Sequence, residues 1–314
     1  MRAVRCESGG VRVVEVPEPR GDGVRVRVRS AGICGSDLHL VAGSFPVVGT
    51  LGHEFAGALS DGTAVAVEPL APCGDCPACV SGDYHLCRIG MGMLMGVGLD
   101  GGMADEVLVP ERALVRLPAG LPLRDASLVE PLAVSLHGLR KAGLRGGTRV
   151  AVVGAGTIGL CAVAVAVSAG ADVTLLARHD HQREAGERLG ASVAEPGADY
   201  DLVVEAAGAP AALERAVTLC RPGGSVVLVA TYWDGKLELP AFATCLREIT
   251  IVPSSLYSRT GAGRDVDLAA ALLAGRPEIA RTLITHRFPL DAAAEAFACA
   301  ADRSSGVIKV VLEP

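Results

Sequence analysis

The sequence is poor in lysine and in aromatic residues, and it contains no run of basic residues. Only three of its 314 residues are lysine, 3% are aromatic, and the formal net charge is −6. Proteins that bind nucleic acid usually carry clustered basic side chains that neutralise phosphates. The acidic balance therefore argues against a nucleic-acid partner.

Features of an exported or membrane-spanning chain are also missing. The first residues lead directly into alternating apolar and charged positions, without a signal-peptide pattern. Residues 150–171 carry no charge, but four glycines interrupt them. A membrane span needs roughly 20 consecutive apolar residues, so a buried strand followed by a buried helix explains this segment better. We expect a cytoplasmic protein without a membrane partner.

The secondary-structure patterns change in character near residue 123. Before that point, segments such as "GVRVRVRSAGI" alternate apolar and charged residues, which predicts half-buried strands. After it, strand-like segments such as "RVAVVGAG" and "DVTLLAR" alternate with helical ones, which predicts βαβ units and a parallel sheet. The sequence shows no internal repeat and no low-complexity linker. We predict an α/β protein, and the chain is long enough for two domains.

Four of the ten cysteines lie in one short loop, "CGDCPACVSGDYHLC", as Cys73, Cys76, Cys79 and Cys87. Without a secretion signal, ten cysteines do not suggest a disulfide framework. Four thiolates can close tetrahedrally on Zn²⁺ and leave no open position, so we predict a structural zinc. The alternatives are four unrelated cysteines or a redox C-x-x-C pair. The intervening Gly, Pro and Asp residues and the third and fourth thiols favour the metal.

A second candidate metal site combines Cys34 in "GICGSDLHL", His53 and Glu54 in "LGHEFAG", and Glu130 in "VEPLAV". Thiolate, imidazole and carboxylate groups are good ligands for a catalytic zinc, which keeps one position open for water or substrate. Each residue alone is a weak signal, because single cysteines are usually part of a core. The combination of the four predicts a catalytic metal.

The segment "RVAVVGAGTIGL" predicts a nucleotide-binding turn. Gly154, Gly156 and Gly159 follow a strand and open a helix, with Thr157 and Ile158 between the last two glycines. The glycines permit a tight turn and a close approach of the backbone to a pyrophosphate, whose charge the helix N-terminus stabilises. Because the pattern opens a βαβ unit, we predict a dinucleotide site.

The residues that follow the second strand of this unit indicate which dinucleotide binds. An acidic residue at this place commonly accepts a hydrogen bond from the ribose 2′-hydroxyl of NAD, but here Ala177 and Arg178 occupy it. A guanidinium group is planar, always charged and suited to phosphate. We therefore predict NADP(H), with His179 and Arg183 as further contributors. The alternative is a solvated arginine before a helix that Asp180 caps.

Taken together, these motifs resemble the zinc-dependent medium-chain dehydrogenase/reductase family, to which the alcohol dehydrogenases belong. The motifs "CGSDLH", "GHEFAG", the four-cysteine loop, "DGGMADE" and "GAGTIG" stand in the family's order, and the resemblance covers essentially the whole chain. Glu130 stands where alcohol dehydrogenase has a second cysteine ligand, as in the polyol (sorbitol) dehydrogenase branch.

The resemblance implies a fold of three segments. Residues 1–132 would form a GroES-like β-barrel catalytic domain that carries the structural zinc loop. Residues 133–260 would form a Rossmann domain, a doubly wound parallel sheet that binds NADP. Residues 261–314 would return to the catalytic domain.

The resemblance also implies roles for individual side chains. The residues that it assigns to the catalytic zinc are Cys34, His53, Glu54 and Glu130. It leaves open which glutamate binds the metal directly and which holds the zinc-bound water. Ser36 would shuttle the alcohol proton, and Asp37 would orient the histidine ligand. His39 would pass that proton to solvent; the alternative for His39 is a surface or core histidine without a role.

Departures from the family bear on the substrate and on assembly. Leu40, Met93 and Leu256 stand where sorbitol dehydrogenases tend to carry polar or aromatic pocket residues, whereas Tyr257 matches. A less polar secondary alcohol or ketone, a cyclitol or a deoxysugar therefore fits at least as well as an open-chain polyol. The segment "LGASVAEPGADYDLVVEAAG", residues 189–208, looks shortened by part of a βα unit, but the strand region that builds the dimer in relatives is intact. We expect a homodimer or homotetramer.

The function predicted is hydride transfer between NADP(H) and a secondary alcohol or ketone, with one catalytic and one structural zinc ion per chain. The alternative within enzymes is an NAD-linked sugar or threonine-type dehydrogenase. The first non-enzyme alternative is a cofactor-binding scaffold or sensor, because fold alone does not establish function. The second is a zinc module that binds nucleic acid, against which the acidic balance argues.

Overall fold

The computed structural model describes residues 1–7, 10–194, 197–233, 236–261, 263–302 and 304–314. The chain divides into two compact units. The first unit comprises Met1–Glu130 and Ser258–Pro314, and the second comprises Pro131–Tyr257. The sequence predicted domain boundaries after residues 132 and 260. These lie a few residues further along the chain than the boundaries of the two units, which follow Glu130 and Tyr257.

The strands and helices follow one another in the alternation that the patterns suggest. The strands are, in chain order, β1 (Arg2–Glu7), β2 (Gly10–Glu15), β3 (Val24–Ile33), β4 (Glu54–Ala58), β5 (Ala64–Val67), β6 (Glu106–Val109), β7 (Leu114–Arg116), β8 (Arg149–Val153), β9 (Asp172–Leu176), β10 (Tyr200–Glu205), β11 (Cys220–Leu228), β12 (Thr250–Pro253), β13 (Arg259–Thr260), β14 (Gly263–Arg264), β15 (Ile284–Pro289) and β16 (Lys309–Glu313). The α-helices are α1 (Gly35–Val41), α2 (Pro77–Ser81), α3 (Val129–Lys141), α4 (Thr157–Ser168), α5 (Asp180–Arg188), α6 (Pro210–Leu219), α7 (Ala241–Leu246), α8 (Asp265–Gly275), α9 (Glu278–Leu283) and α10 (Ala293–Ala301).

The first unit is built on a mainly antiparallel sheet. Within the described residues it has seven strands, in the order β15-β16-β3-β4-β5-β7, with β6 also paired to β3. Along β3, Val26 and Val28 are buried while Arg25 and Arg27 are exposed, because successive side chains of a strand point to opposite faces. The C-terminal strand β16 pairs with β3. The end of the chain thus joins the sheet of the first unit.

The second unit is built on a parallel sheet. Its strands, five among the described residues, lie in the order β12-β11-β10-β8-β9, and all neighbours are parallel. Because β9 and β10 lie on opposite sides of β8, the direction of winding changes beside β8. In doubly wound sheets this change creates a crevice at the carboxyl ends of the strands, where ligands bind. The parallel sheet predicted from the βαβ pattern is confirmed.

The uncharged segment forms the interior of this unit. Residues 150–153 are the buried core of β8, and residues 159–166 are a buried stretch of α4. In the part of the chain that the structure describes, no helix combines the length and the apolar character needed to cross a membrane. Beyond β9, the shortened segment contributes an isolated parallel bridge between Ser192 and Thr174.

Candidate functional site

Three of the predicted zinc ligands converge in the first unit. The ligand atoms of Cys34, His53 and Glu54 all lie within 4.8 Å of one another. The register of the sheet causes this convergence, because Gly32 near the end of β3 pairs with Glu54 at the start of β4. Cys34 follows β3 directly and caps α1. A thiol, an imidazole and a carboxylate in one mostly buried cluster fit Zn²⁺, whose preferred ligands they are.

The ring of His53 has a defined orientation. Its Nδ1 lies 3.4 Å from Oδ1 of the buried Asp37, whose other oxygen accepts the Cys34 N–H at 2.8 Å. This leaves Nε2 as the nitrogen for a metal, and the Oγ of Ser36 lies 3.3 Å from it. Burial lowers the pKa of His53, but the charge and hydrogen bond of Asp37 and the nearby Cys34 outweigh burial and raise the pKa well above its usual value.

Glu54 is held by a buried lysine that the sequence analysis did not identify. Lys309 Nζ lies 2.8 and 2.7 Å from the two carboxylate oxygens and donates to the carbonyl oxygen of Ile33 at 2.9 Å. The side chains of Glu54 and Lys309 are 1% and 2% exposed. A charge of one sign is rarely this deeply buried without a partner. The sequence does contain a sign that Lys309 is special. It interrupts the apolar strand "GVIKVVL" in a chain with only three lysines.

Glu130 does not belong to the same close cluster among the described residues. It lies in the first turn of α3 and is 5% exposed. Its role, as a metal ligand or as the residue that holds the zinc-bound water, stays a prediction. His39 lies three residues after Ser36 in α1, so that the two share a helix face.

The residues predicted for the substrate pocket belong to both units. Leu40 in α1 and Met93 after the cysteine loop are buried in the first unit. Leu256 and the buried Tyr257 end the second unit. Leu256 has φ +53, a left-handed conformation that is costly for a bulky side chain. A shared pocket stays a prediction.

The four cysteines of the loop form the second cluster. Their sulfur atoms lie within 4.8 Å of one another, with Cys73–Cys79, Cys76–Cys79 and Cys73–Cys87 separations of 3.8, 3.5 and 3.5 Å. All four are free thiols. Backbone N–H groups of Arg88 and Cys79 lower the pKa of Cys76 to about 6. Four converging thiols fit a closed tetrahedral zinc site, because zinc binds cysteine as the thiolate.

A polar network around the buried Glu68 anchors this cysteine loop. Tyr84, which lies between Cys79 and Cys87, donates to Glu68 Oε1 at 2.5 Å. The other oxygen of Glu68 accepts from Arg264 at 3.1 Å, and Arg264 also donates to the carbonyl oxygen of Arg112 at 2.7 Å. Burial raises the pKa of Glu68, against the opposing effects of Tyr84 and Arg264. The network ties the loop to residues far away in sequence.

The glycine-rich turn of the second unit requires its glycines for different reasons. Gly154 has φ +103, and a Cβ there would lie 2.8 Å from the backbone nitrogen of Ala207. A Cβ on Gly159 would lie 1.8 Å from the Gly154 oxygen, which only glycine avoids. Around Gly156, the N-cap of α4, a Cβ would meet no atom within 4 Å. The open side of the turn therefore faces space that a pyrophosphate could occupy.

Arg178 lies beside this turn. The N–H of Gly154 donates to the carbonyl oxygen of Leu176, two residues before Arg178, at 3.2 Å. The Arg178 side chain is exposed and forms no hydrogen bond or ion pair with any described residue. Arg183, in contrast, pairs with Asp180 at 2.5 Å. The ring of His179 stacks on His181 with centroids 5.5 Å apart. Arg178 thus offers a guanidinium group without a protein partner among the described residues.

Comparison with known proteins identifies the family. Residues 20–119 match the alcohol dehydrogenase GroES-like domain, and residues 157–273 match the zinc-binding dehydrogenase family. The chain is 34% identical to galactitol 1-phosphate 5-dehydrogenase of Escherichia coli K12, over 94% of this chain and 95% of that protein. The chain belongs to the zinc-dependent medium-chain dehydrogenase family.

Two further relatives of this dehydrogenase support the same family assignment. Sorbitol dehydrogenase of Halalkalibacterium halodurans is 32% identical over 98% of this chain and 96% of its own. A solved structure from Sinorhizobium meliloti 1021, described as a zinc-binding dehydrogenase bound to NADP, is 33% identical, with a TM-score of 0.88 over 100% of this chain and 99% of that one.

These comparisons confirm three predictions for the dehydrogenase. They confirm the family with its polyol branch and the fold class, a GroES-like domain combined with a Rossmann-type parallel sheet. They also confirm the reaction class: like these relatives, the chain is an oxidoreductase that acts on secondary alcohols. The individual site residues are not tested by these comparisons.

Proposed function

We propose that this dehydrogenase transfers a hydride between NADP(H) and a secondary alcohol or its ketone, with one catalytic and one structural zinc ion per chain. The choice of NADP(H) rests on the guanidinium group of Arg178 beside the glycine-rich turn, which has no partner among the described residues. No acidic side chain stands at Ala177 to accept the ribose hydroxyl of NAD. An arginine without an internal partner can pair with a 2′-phosphate through two parallel hydrogen bonds.

The catalytic cluster supports a division of roles. A bound zinc ion lowers the pKa of an alcohol and polarises a carbonyl group. Cys34 and His53 would hold that ion, with Glu54 or Glu130 as the third protein ligand. Asp37 binds Nδ1 of His53 and so leaves Nε2 for the metal, and Ser36 beside Nε2 would take up the proton of the substrate hydroxyl while its own hydroxyl proton is passed on. His39, on the same face of α1, passes that proton to solvent.

The substrate is a secondary alcohol or ketone of the polyol, cyclitol or sugar class, or a less polar compound. Relatives that act on galactitol 1-phosphate and sorbitol support a hydroxylated substrate. The apolar Leu40, Met93 and Leu256 favour a less polar one. The strained backbone of Leu256 supports a functional role for the end of the second unit, because such strain persists mainly where function requires it.

The dehydrogenase assembles as a homodimer or homotetramer. β12 is the edge strand of the parallel sheet in the second unit. The neighbouring α7 exposes Phe242 and Leu246, which are 81% and 69% accessible. Exposed apolar patches beside an unpaired strand edge favour association.

Activity assays with zinc-replete protein test the function. Oxidation of polyols, cyclitols, sugars and apolar secondary alcohols with NADP⁺ or NAD⁺ is followed by the absorbance of the reduced nicotinamide. Reduction of the matching ketones is followed with NADPH or NADH. We expect turnover with NADP(H) preferred. Preference for NAD(H) would retain the dehydrogenase but support the NAD-linked alternative. Binding of zinc and cofactor without any turnover would support the scaffold or sensor alternative.

Substitution of Arg178 tests the cofactor assignment directly. In Arg178→Asp, the ratio of kcat/KM for NADP(H) to that for NAD(H) should fall about a hundredfold, because a phosphate contact becomes a repulsion. Arg188→Asp is the matched control. It makes the same change of charge at the far end of α5, where Arg188 pairs with Glu184, and the ratio should not change. An unchanged ratio in Arg178→Asp would show that the assignment is wrong.

A further inference from the structure

Glu205 is a buried carboxylate at the carboxyl end of β10, and none of the sequence motifs contains it. Its side chain is fully buried. Oε1 accepts the backbone N–H groups of Ala207 and Gly208 at 2.8 and 2.9 Å, and Oε2 accepts the hydroxyl of Tyr232 at 2.6 Å. One carboxylate thus joins the loop after β10 to the segment after β11.

The loop that Glu205 holds supports the glycine-rich turn. The backbone of Ala206 and Ala207 is the surface against which Gly154 packs, since a Cβ on Gly154 would lie 2.8 Å from Ala207 N and 3.0 Å from Ala206 C. The N–H of Ala206 also donates to the carbonyl oxygen of Val153, at the end of β8, at 2.9 Å. A shift of this loop would therefore displace the first glycine of the turn.

The charge of Glu205 also determines which N–H groups face a ligand. Successive backbone N–H groups in a loop at a sheet edge form a natural site for an anion. Here the N–H groups of Ala207 and Gly208 point to an internal anion and are taken. Burial raises the pKa of Tyr232, as do its hydrogen bond with Glu205 and the charge of that carboxylate, so the phenol remains a donor. The N–H groups of Ala207 and Gly208 are therefore already used within the protein and do not serve a dinucleotide pyrophosphate.

We propose that Glu205 is a positioning residue for the dinucleotide, with Tyr232 holding its second oxygen. Glu205 fixes residues 206–208, this loop fixes the turn from Gly154 to Gly159, and the turn receives the pyrophosphate. The proposal rests on the proposed function, because it requires that this turn binds NADP(H). It adds a carboxylate on a neighbouring strand to the glycine-rich turn as a determinant of cofactor affinity.

Direct titration of NADPH fluorescence with the zinc-replete protein tests the proposal. Glu205→Ala should raise the Kd for NADPH about tenfold, because it releases the loop and removes the shared acceptor of three hydrogen-bond donors. Glu205→Gln should stay within about threefold of the wild type, since its amide oxygen can accept the same two N–H groups. In steady-state assays the change should appear in the KM for the cofactor rather than in kcat.

Leu213→Ala is the matched control for a loss of stability. Leu213 is fully buried in the core of the same unit, in α6, and its truncation should lower Tm at least as much as Glu205→Ala. Its Kd for NADPH should remain that of the wild type. Equal Kd values for Glu205→Ala and Leu213→Ala would overturn the proposal.

Tyr232→Phe takes over the test if Glu205→Ala does not fold. It should raise the Kd about threefold, because Glu205 Oε2 loses its donor, and an unchanged Kd would overturn the proposal. The two proposals fail in different ways. If the wild type binds neither NADPH nor NADH, the proposed function is wrong. If the wild type binds NADPH and the variants bind it equally well, only the role of Glu205 is wrong.

Discussion

The two candidate metal sites of the first unit are assembled over very different distances along the chain. The four cysteines lie within one loop between residues 73 and 87, so that a short segment supplies all four thiols. The cluster of Cys34, His53 and Glu54 requires the pairing of β3 with β4, and Lys309 reaches it from β16 at the other end of the chain. The cysteine cluster is therefore formed by residues that are close in sequence, whereas the second cluster forms only when distant strands of the sheet pair.

This difference suggests that one cluster stabilises the fold and the other supports catalysis. A closed set of four thiolates leaves no position for a substrate and contributes folding energy. A mixed set of ligands with one open position supports chemistry. Separate loss of each metal should therefore separate stability from catalysis.

The largest effect is expected from Cys34→Ser. Loss of this ligand should lower kcat/KM about a thousandfold, because the substrate oxygen loses several kcal/mol of charge stabilisation. Tm should change little, since the four-cysteine cluster is untouched. Metal analysis should show one zinc ion fewer per chain. A variant that loses stability but keeps its activity would reverse the roles given to the two clusters.

Cys79→Ser should lower the stability of the protein and leave its catalysis nearly unchanged. The cysteine loop should lose its zinc, and Tm should fall by about 10 °C, because a structural metal contributes folding energy directly. The kcat of the protein that remains folded should stay close to that of the wild type. Calorimetry together with metal analysis measures both changes. Loss of kcat at unchanged Tm would contradict a structural role.

Lys309→Met tests how far the catalytic cluster depends on the sheet. It leaves Glu54 as a buried charge without its ammonium partner, which should cost about 3 kcal/mol in the free energy of unfolding. The catalytic zinc should also be released faster to a chromophoric chelator. Lys309→Arg keeps the charge, so it should lower the free energy of unfolding less and accelerate zinc release less than Lys309→Met does. Equal losses in the two variants would indicate that packing, rather than the ion pair, matters.

The smallest effect is expected from Tyr84→Phe. Removal of the hydroxyl takes one hydrogen bond from the buried Glu68 and should cost about 1 kcal/mol, with faster release of the structural zinc. Leu86→Ala, in the same loop but 62% exposed, is the control and should change neither quantity. Release of the structural zinc at the wild-type rate in Tyr84→Phe would show that the anchor does not support the loop.

Local patterns predicted much of the fold and of the candidate site. The spacing of the four cysteines and the glycine-rich turn lie within short segments, and steric and coordination rules relate their residues directly. The βαβ alternation predicted the parallel sheet because apolar periodicity reflects burial within each element. Arg178 was found for the same reason, since its place is counted from the turn.

Interactions that depend on distant parts of the chain were not predicted. Lys309 and Glu54 are 255 residues apart, and Arg264 and Glu68 are 196 apart. Glu205 ends β10 and Tyr232 follows the neighbouring strand β11, and neither lies in a motif. No periodicity relates such pairs, because their contact is created by strand order and register.

The sequence by itself determined the family, the fold class, the reaction class and the two sets of candidate ligands, because each depends on residue types at short and regular spacings. Tertiary structure alone decided which side chains support those ligands. The Lys309 ammonium group that pairs with Glu54, the Glu68 carboxylate that anchors the cysteine loop and the Glu205 carboxylate that holds the loop beside the glycine-rich turn are all buried. A buried charge is stable only where the fold supplies its partner, and that partner is defined by the packing of strands that lie far apart in the chain.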